Sequence, residues 1–200
     1  SIYGSVNLAG SLLAMESQAQ PLTPQELTQL LPAAVRSARK LGDRQAEAYA
    51  LGKWGQLYAQ NEQWSEAVAL TQQSLAIAQS IQAADIASQS AWQLGRIQLQ
   101  QGEQQKAIAS YTEAFNALQS LRADLVAINP DVRFSFRKSV EPVYRELVSL
   151  LLSPSASTQQ GKEQGEVSQE NLVQAREVIE ALQLAELDNF FREACLDTRS

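Results

Sequence analysis

The chain has 200 residues, no histidine and one cysteine, with a formal charge of −6 and an isoelectric point near 4.8. That acidity argues against general nucleic-acid binding, which needs a basic face. The missing histidine excludes a Ser-His-Asp set, a Cys-His dyad and a zinc-protease motif, and no Gly-rich phosphate loop is present, so the chain offers no catalytic, cofactor-binding or metal-ligating constellation. Cys195 cannot form an internal disulfide and reads as a packing residue, and no apolar run approaches the length of a membrane span. Alanine, leucine and glutamine dominate while glycine and proline are few, which fits a mostly helical chain.

The chain starts Ser-Ile-Tyr and its only methionine is Met15, which leads us to expect a piece of a longer protein whose targeting signals lie elsewhere. The compartment therefore stays open: cytoplasm is the default, and a secreted or periplasmic location is compatible. Residues 1–20 are apolar but lack the basic start of a secretory signal. Val6, Leu8, Leu12, Leu13 and Met15 suit a helix A whose upstream neighbour is missing. After Gln20-Pro21, the run Thr23-Pro24-Gln25-Glu26 supplies an N-cap, a proline at the first helical position and early acid. Leu27, Leu30, Leu31, Ala34, Val35, Ala38 and Leu41 then recur at helical spacing. Pro32 is expected to kink this helix or push its start downstream. Gly42-Asp43 ends it, so that residues 1–44 read as a degenerate repeat.

Residues 45–83 and 84–128 are one unit written twice, in register. Leu51, Trp54-Gly55, Tyr58 and Ala67-Val68 mark the first copy. Ala91, Leu94-Gly95, Gln98 and Ala107-Ile108 fall in the same places in the second, with Tyr111 following on its helix B. The spacing predicts helices at about 45–60, 64–81, 84–101 and 104–127, with turns at Asn61-Glu62-Gln63 and Gln101-Gly102-Glu103. Gly55 and Gly95 fall inside helices, where glycine costs about 1 kcal/mol relative to alanine, so a packing reason is expected. Without a side chain there, helix B can approach the helix A backbone, presenting the small residues Ala67 and Ala107. This pattern resembles the tetratricopeptide repeat, although the usual repeat is about six residues shorter. The resemblance implies an all-α fold: a right-handed α-α superhelix of helical hairpins that serves as a non-catalytic scaffold for binding proteins or peptides.

Residues 129–200 read as a stretched repeat with a C-terminal extension. Asn129-Pro130-Asp131 breaks the preceding helix and caps one from about 131 to 152, whose apolar positions include Phe134, Val140, Val143, Tyr144, Leu147 and Leu151, with Pro142 expected to bend it. Residues 153–168 are polar and without periodicity, and read as a mobile loop. A last helix at about 169–187 is expected to turn Leu172, Ala175, Val178, Ile179 and Leu182 toward the array, with Phe190 and Phe191 extending its apolar face. The stretches Leu121–Arg137, Val140–Val148 and Leu182–Cys195 look like the segment that joins such repeats to a CHAT domain in large cyanobacterial proteins. This second resemblance implies a caspase-like domain following the repeats, and hence an alternative role for the array as an intramolecular regulatory arm.

In the geometry that the repeat resemblance implies, the residue after the first large position of helix A, and the one four further on, point into a concave groove. These are Gly52 and Gln56 in the first copy and Trp92 and Arg96 in the second. Lys138 and Arg145 on the next helix are expected to face the same way with Glu141 between them, making the groove locally basic and suited to an acidic peptide or an acidic surface of a neighbouring domain. The plainer reading is that Trp92 packs against the adjacent repeat and that the basic residues, like Glu141 and Glu146, are simply solvated. Ser155 to Glu166 carries almost no apolar side chains to bury. Limited proteolysis should therefore cut first in this loop, and protection of it would show that it packs.

Overall fold

In the computed structural model the described residues are 24–128, 140–153 and 167–197, with side chains described over 26–121, 140–153 and 167–187. The expectations for residues 1–23, for Phe134 and Lys138, for the loop at 154–166 and for the side chains of Phe190, Phe191 and Cys195 lie outside that range. Seven helices account for most of the described chain: α1 (Pro24–Leu41), α2 (Arg44–Gln60), α3 (Trp64–Ser80), α4 (Ala84–Gln100), α5 (Gln104–Ile128), α6 (Glu141–Leu151) and α7 (Gln169–Asp197). Each packs on the next in sequence, and α2 also reaches α4. The result is an all-α array of helical hairpins, α2–α3 and α4–α5, preceded by α1 and followed by the α6–α7 pair.

The array is regular because its joints are regular. Gly42, Glu62, Gln82 and Gly102 all have positive φ, between 57° and 74°, and they are evenly spaced along the chain. At each joint the following N–H reaches back to the carbonyl five residues earlier: Asp43 to Ala38, Gln63 to Tyr58, Ala83 to Ala78 and Glu103 to Gln98, at 2.8–2.9 Å. This is the Schellman closure, which satisfies helix-end carbonyls and turns the chain sharply. Glycine takes that conformation freely, whereas at Glu62 and Gln82 it costs roughly 1–2 kcal/mol, offset by the hairpin it closes. The first repeat thus consists of two equal halves, and α2, α3 and α4 each have 17 residues, whereas α5 has 25. The extra length over a common repeat lies in both helices of the hairpin.

The N-termini of α2 and α7 are fixed by side chains. Asp43 Oδ1 accepts from the Ala46 N–H at 2.9 Å to cap α2, and Ser168 Oγ accepts from the Asn171 N–H at 3.1 Å to cap α7. At the α1–α2 joint the buried Glu47 carboxylate takes Arg39 Nε and Arg44 Nη1, both at 2.7 Å, so that the charge carried inward is neutralised. Pro142 sits in the first turn of α6, where its missing N–H has no helical partner to lose, and it causes no break there. Pro32 does not delay α1, which begins at Pro24 and runs through it. A mid-helix proline costs about 3 kcal/mol, while burying Leu31 and Val35 against the array returns about 1.5–3 kcal/mol each. The packing outweighs the lost hydrogen bond.

The core is made of small residues between the helices and large ones in the gaps. Ala46, Ala48, Ala50, Ala67, Ala78, Ala91, Ala107 and Ala114 are fully or almost fully enclosed, with Leu51, Leu94, Tyr111, Tyr144, Leu147 and Leu151 filling the spaces among them. Trp54 and Tyr58 are half-buried and lie tilted against each other with ring centroids 6.0 Å apart. The expected close approach at the helical glycines is present, with a different partner in the second copy. A Cβ at Gly55 would come within 2.5 Å of Thr71 Oγ1 and 3.1 Å of the Ala67 carbonyl oxygen, and one at Gly95 within 2.5 Å of Tyr111 Cδ2. The neighbour of Gly95 is therefore the Tyr111 ring, one turn beyond Ala107.

The last helix differs most from expectation. It continues to Asp197, and while Ala175, Val178 and Leu182 are buried as expected, Leu172 and Ile179 remain 48% and 38% exposed. Helix α7 rests on α6 along the Ala175, Val178, Ala181, Leu182 and Ala185 stripe, and Leu172 and Ile179 lie off that line. The Gly95 contact makes a direct test of the register. Gly95→Leu should cost about 1–3 kcal/mol in thermal or denaturant melts, whereas Gln72→Ala on the exposed side of α3 should change stability by no more than about 0.5 kcal/mol; equal melts for the two variants would refute the packing.

Candidate protein-binding face

Helices α2 and α4 touch each other, whereas α3 and α5 meet chiefly through the side chains of Gln79 and Glu113. The first helices of the hairpins therefore lie on the inner side of the array. The groove positions expected from sequence are Gly52 and Gln56 on α2 and the matching Trp92 and Arg96 on α4, with Tyr49 and Lys53 beside the first pair and Gln89 and Gln93 beside the second. Gln56 and Arg96 are exposed, and Tyr49, Lys53, Trp92 and Gln93 half-buried. Two cations lie over aromatic rings on this face: Lys53 Nζ is 5.4 Å from the Tyr49 centroid, and the Arg96 guanidinium carbon is 5.5 Å from the Trp92 centroid. Each pair is four residues apart on its helix, which brings the two side chains together on one surface.

Beneath this face, polar bonds tie each hairpin to the next. Gln93 Nε2 of α4 donates to Thr71 Oγ1 at 2.6 Å and to the Gly52 carbonyl at 3.2 Å. Ser74 Oγ donates to the Ala48 carbonyl at 2.7 Å and shares a 2.8 Å hydrogen bond with Ser90 Oγ, and a Cβ at Gly52 would stand 3.0 Å from that Ser74 oxygen. At the next junction, Glu146 of α6 plays the part that Gln93 plays at the first. Its Oε2 accepts from Trp92 Nε1 at 2.8 Å and from Tyr111 Oη at 2.5 Å. Thr71 and Tyr111 are equivalent, each standing at the same offset after its helical glycine, Gly55 or Gly95. In both copies the side chain that a Cβ would strike is thus also the side chain that the following helix bonds. Among the described residues no buried side-chain polar atom lacks a partner.

The site residues expected from sequence are placed as follows. Trp92 and Arg96 stand together, with the indole bonded to the adjacent helix, and Gln56 occupies the corresponding position on α2. Lys138 is outside the described residues. Arg145 is exposed and held by two carboxylates, its Nε donating to Glu141 Oε1 at 2.7 Å and its Nη2 to Glu186 Oε1 of α7 at 3.3 Å. Its charge is matched locally, whereas Arg96 makes no ion pair among the described residues. Glu146, which reads from sequence as solvated, is instead the shared acceptor of two helices. The sequence does carry one signal for it: a tyrosine at a core position opposite a glycine needs an acceptor for its hydroxyl.

Residues 45–120, from the start of α2 through most of α5, match the tetratricopeptide repeat family. They are a tetratricopeptide repeat region. No match to the chain is found among curated proteins. Repeats of this family are generally protein-protein interaction scaffolds, and here the region supplies the inner helices α2 and α4 with their aromatic and cationic side chains. Among the described residues no helix is long and apolar enough to cross a membrane, and no group of three side chains could hold a metal ion.

Burial, and after it the Glu146 carboxylate, pushes the Tyr111 hydroxyl well above its ordinary value of 10.0, against a smaller lowering influence of Arg96. A proton held more firmly in the folded state contributes stability that is complete below pH 10.0 and is lost as pH rises, because the unfolded chain then releases a proton that the folded chain retains. Thermal melts of the wild type should fall more steeply above that pH than those of Tyr111→Phe. Parallel pH curves would show that the hydroxyl is not held in this way.

Proposed function

We propose that the protein is a non-catalytic scaffold whose inner face, along α2, α4 and α6, holds an acidic peptide or an acidic protein surface. The observation that carries this reading is the pair of cation-over-aromatic contacts, Tyr49 with Lys53 and Trp92 with Arg96, on the consecutive first helices α2 and α4. Such a surface offers flat apolar area and positive charge together, and Trp, Tyr and Arg are the residue types most enriched at binding hot spots. Arg96 makes no ion pair among the described residues, so its charge is available to a ligand carboxylate. The repeat region supports a protein or peptide as the partner class. The chain as a whole is acidic, so the unpaired Arg96 guanidinium favours encounter of an acidic ligand at this face.

The second reading places the partner on the same polypeptide. The resemblance of Leu121–Arg137, Val140–Val148 and Leu182–Cys195 to the segment preceding a caspase-like CHAT domain supports an intramolecular arm that positions or restrains such a domain. Both readings use the same face and differ in where the ligand is encoded. Fluorescence anisotropy with a labelled peptide of alternating glutamate and leucine, and with its lysine counterpart, tests the first. The acidic peptide should bind, the basic one should not, and Lys53→Glu with Arg96→Glu should weaken binding by about 2 kcal/mol or more with little change in the melting curve. Indifference to peptide charge, or to the double substitution, would exclude this face. Binding that occurs only with a separately expressed CHAT domain would favour the intramolecular arm.

A further inference from the structure

Glu146 is placed where a ligand's acidic group would be expected. Its carboxylate takes the indole N–H of Trp92 and the hydroxyl of Tyr111, donors from the two helices of the preceding hairpin. Arg96 lies over the Trp92 ring, is near enough to act on the Tyr111 hydroxyl, and forms no ion pair with Glu146. Two neutral donors and a cation thus converge on one small region, and the chain's own carboxylate uses only the donors.

From this arrangement we infer that Glu146 is an internal occupant of a carboxylate cradle formed by Trp92, Tyr111 and Arg96, and that an acidic side chain of the partner displaces it. The inference rests on the binding-face reading above and names the chemistry by which that face selects. An incoming carboxylate in the place of the Glu146 carboxylate can accept the same two hydrogen bonds, and the exposed Arg96 side chain can turn to add charge-assisted bonds, which Glu146 does not receive. Glu146 can leave without moving its helix. Helix α6 is anchored by Val143, Tyr144, Leu147 and Leu151, all buried, with Tyr144 edge-on to Phe115 at 4.9 Å. Glu146 itself is only half-buried, and a rotated side chain can reach water with its charge solvated. An occupant tethered to the site also acts as a filter. Isolated anions compete poorly against it, whereas a segment with several acidic groups has the avidity to exchange.

The test follows the indole N–H resonance of Trp92 in the 15N-labelled chain, identified by its loss in Trp92→Phe, while hexaglutamate is added, with hexaglutamine as the control. Emptying the cradle should help the ligand. Glu146→Ala should bind hexaglutamate about tenfold more tightly than the wild type, and Arg96→Ala on that background should abolish the gain. Glu146→Gln keeps an acceptor for both donors without the charge and provides the same comparison if Glu146→Ala does not fold; it too should bind more tightly. A purely structural Glu146 would give variants that bind no better than the wild type. That result overturns the inference, and leaves the binding-face reading standing if binding still requires Arg96. Equal binding of hexaglutamine overturns the carboxylate assignment, and an unmoved Trp92 resonance in every variant overturns both.

Discussion

The array depends on how closely the two helices of a hairpin approach at Gly55 and Gly95. With no Cβ at those positions, Thr71 and Tyr111 lie against the backbone of the partner helix, closer than any side chain would allow. The enclosed alanines along the same interface follow from that separation, since larger residues would not fit between helices already in contact. The glycines weaken their own helices by about 1 kcal/mol each, and the packing they permit more than offsets it. The evenly spaced Schellman joints then repeat the geometry along the chain, so one local solution serves four successive turns.

That close approach also directs the chemistry of the junctions. Thr71 and Tyr111 each present a hydroxyl between hairpins, and each is met by a polar side chain from the next first helix, Gln93 or Glu146. Replacing threonine by tyrosine at the second junction extends the hydroxyl to α6 and brings it beside the Trp92 indole. The neutral amide at one junction and the carboxylate at the other are thus answers to the same geometric question. The difference is that the carboxylate introduces charge beside the most aromatic part of the inner face, where Arg96 already stands.

The two faces of the array are built differently. The inner face carries aromatic rings with cations above them, whereas the end formed by α7 leaves Leu172, Val173, Ile179, Leu184 and Leu187 exposed among charged residues. An open cleft of about 770 Å³ between α5 and α7, lined by Thr112, Phe115, Asn116, Val173 and Gln174 among others, continues that surface. Gln174 Nε2 donates to Thr112 Oγ1 at 2.9 Å across it, and the two helices are joined there by a polar contact where the hairpins have close-packed alanine.

Sequence by itself determined the features that arise within one helix and the turn that follows it. The period, the helix spans from α2 to α4, the turns at residues 61–63 and 101–103, the break at Gly42-Asp43 and the packing role of the two helical glycines were all legible, because each depends on local backbone preference or on a pattern repeated in register. Pro32 does not push the start of α1 downstream, for the converse reason: local preference supplies only its intrinsic cost, and the burial of Leu31 and Val35 by a neighbouring helix offsets it. The exposure of Leu172 and Ile179 required knowing which stripe of α7 meets α6. The pairing of Arg145 with Glu186, 41 residues away, and of Glu146 with Trp92, 54 residues away, joins particular side chains of neighbouring helices that the repeat pattern does not match to each other. Tertiary structure alone decided those contacts, since a side chain's partner across helices depends on rotation and separation that no single helix encodes.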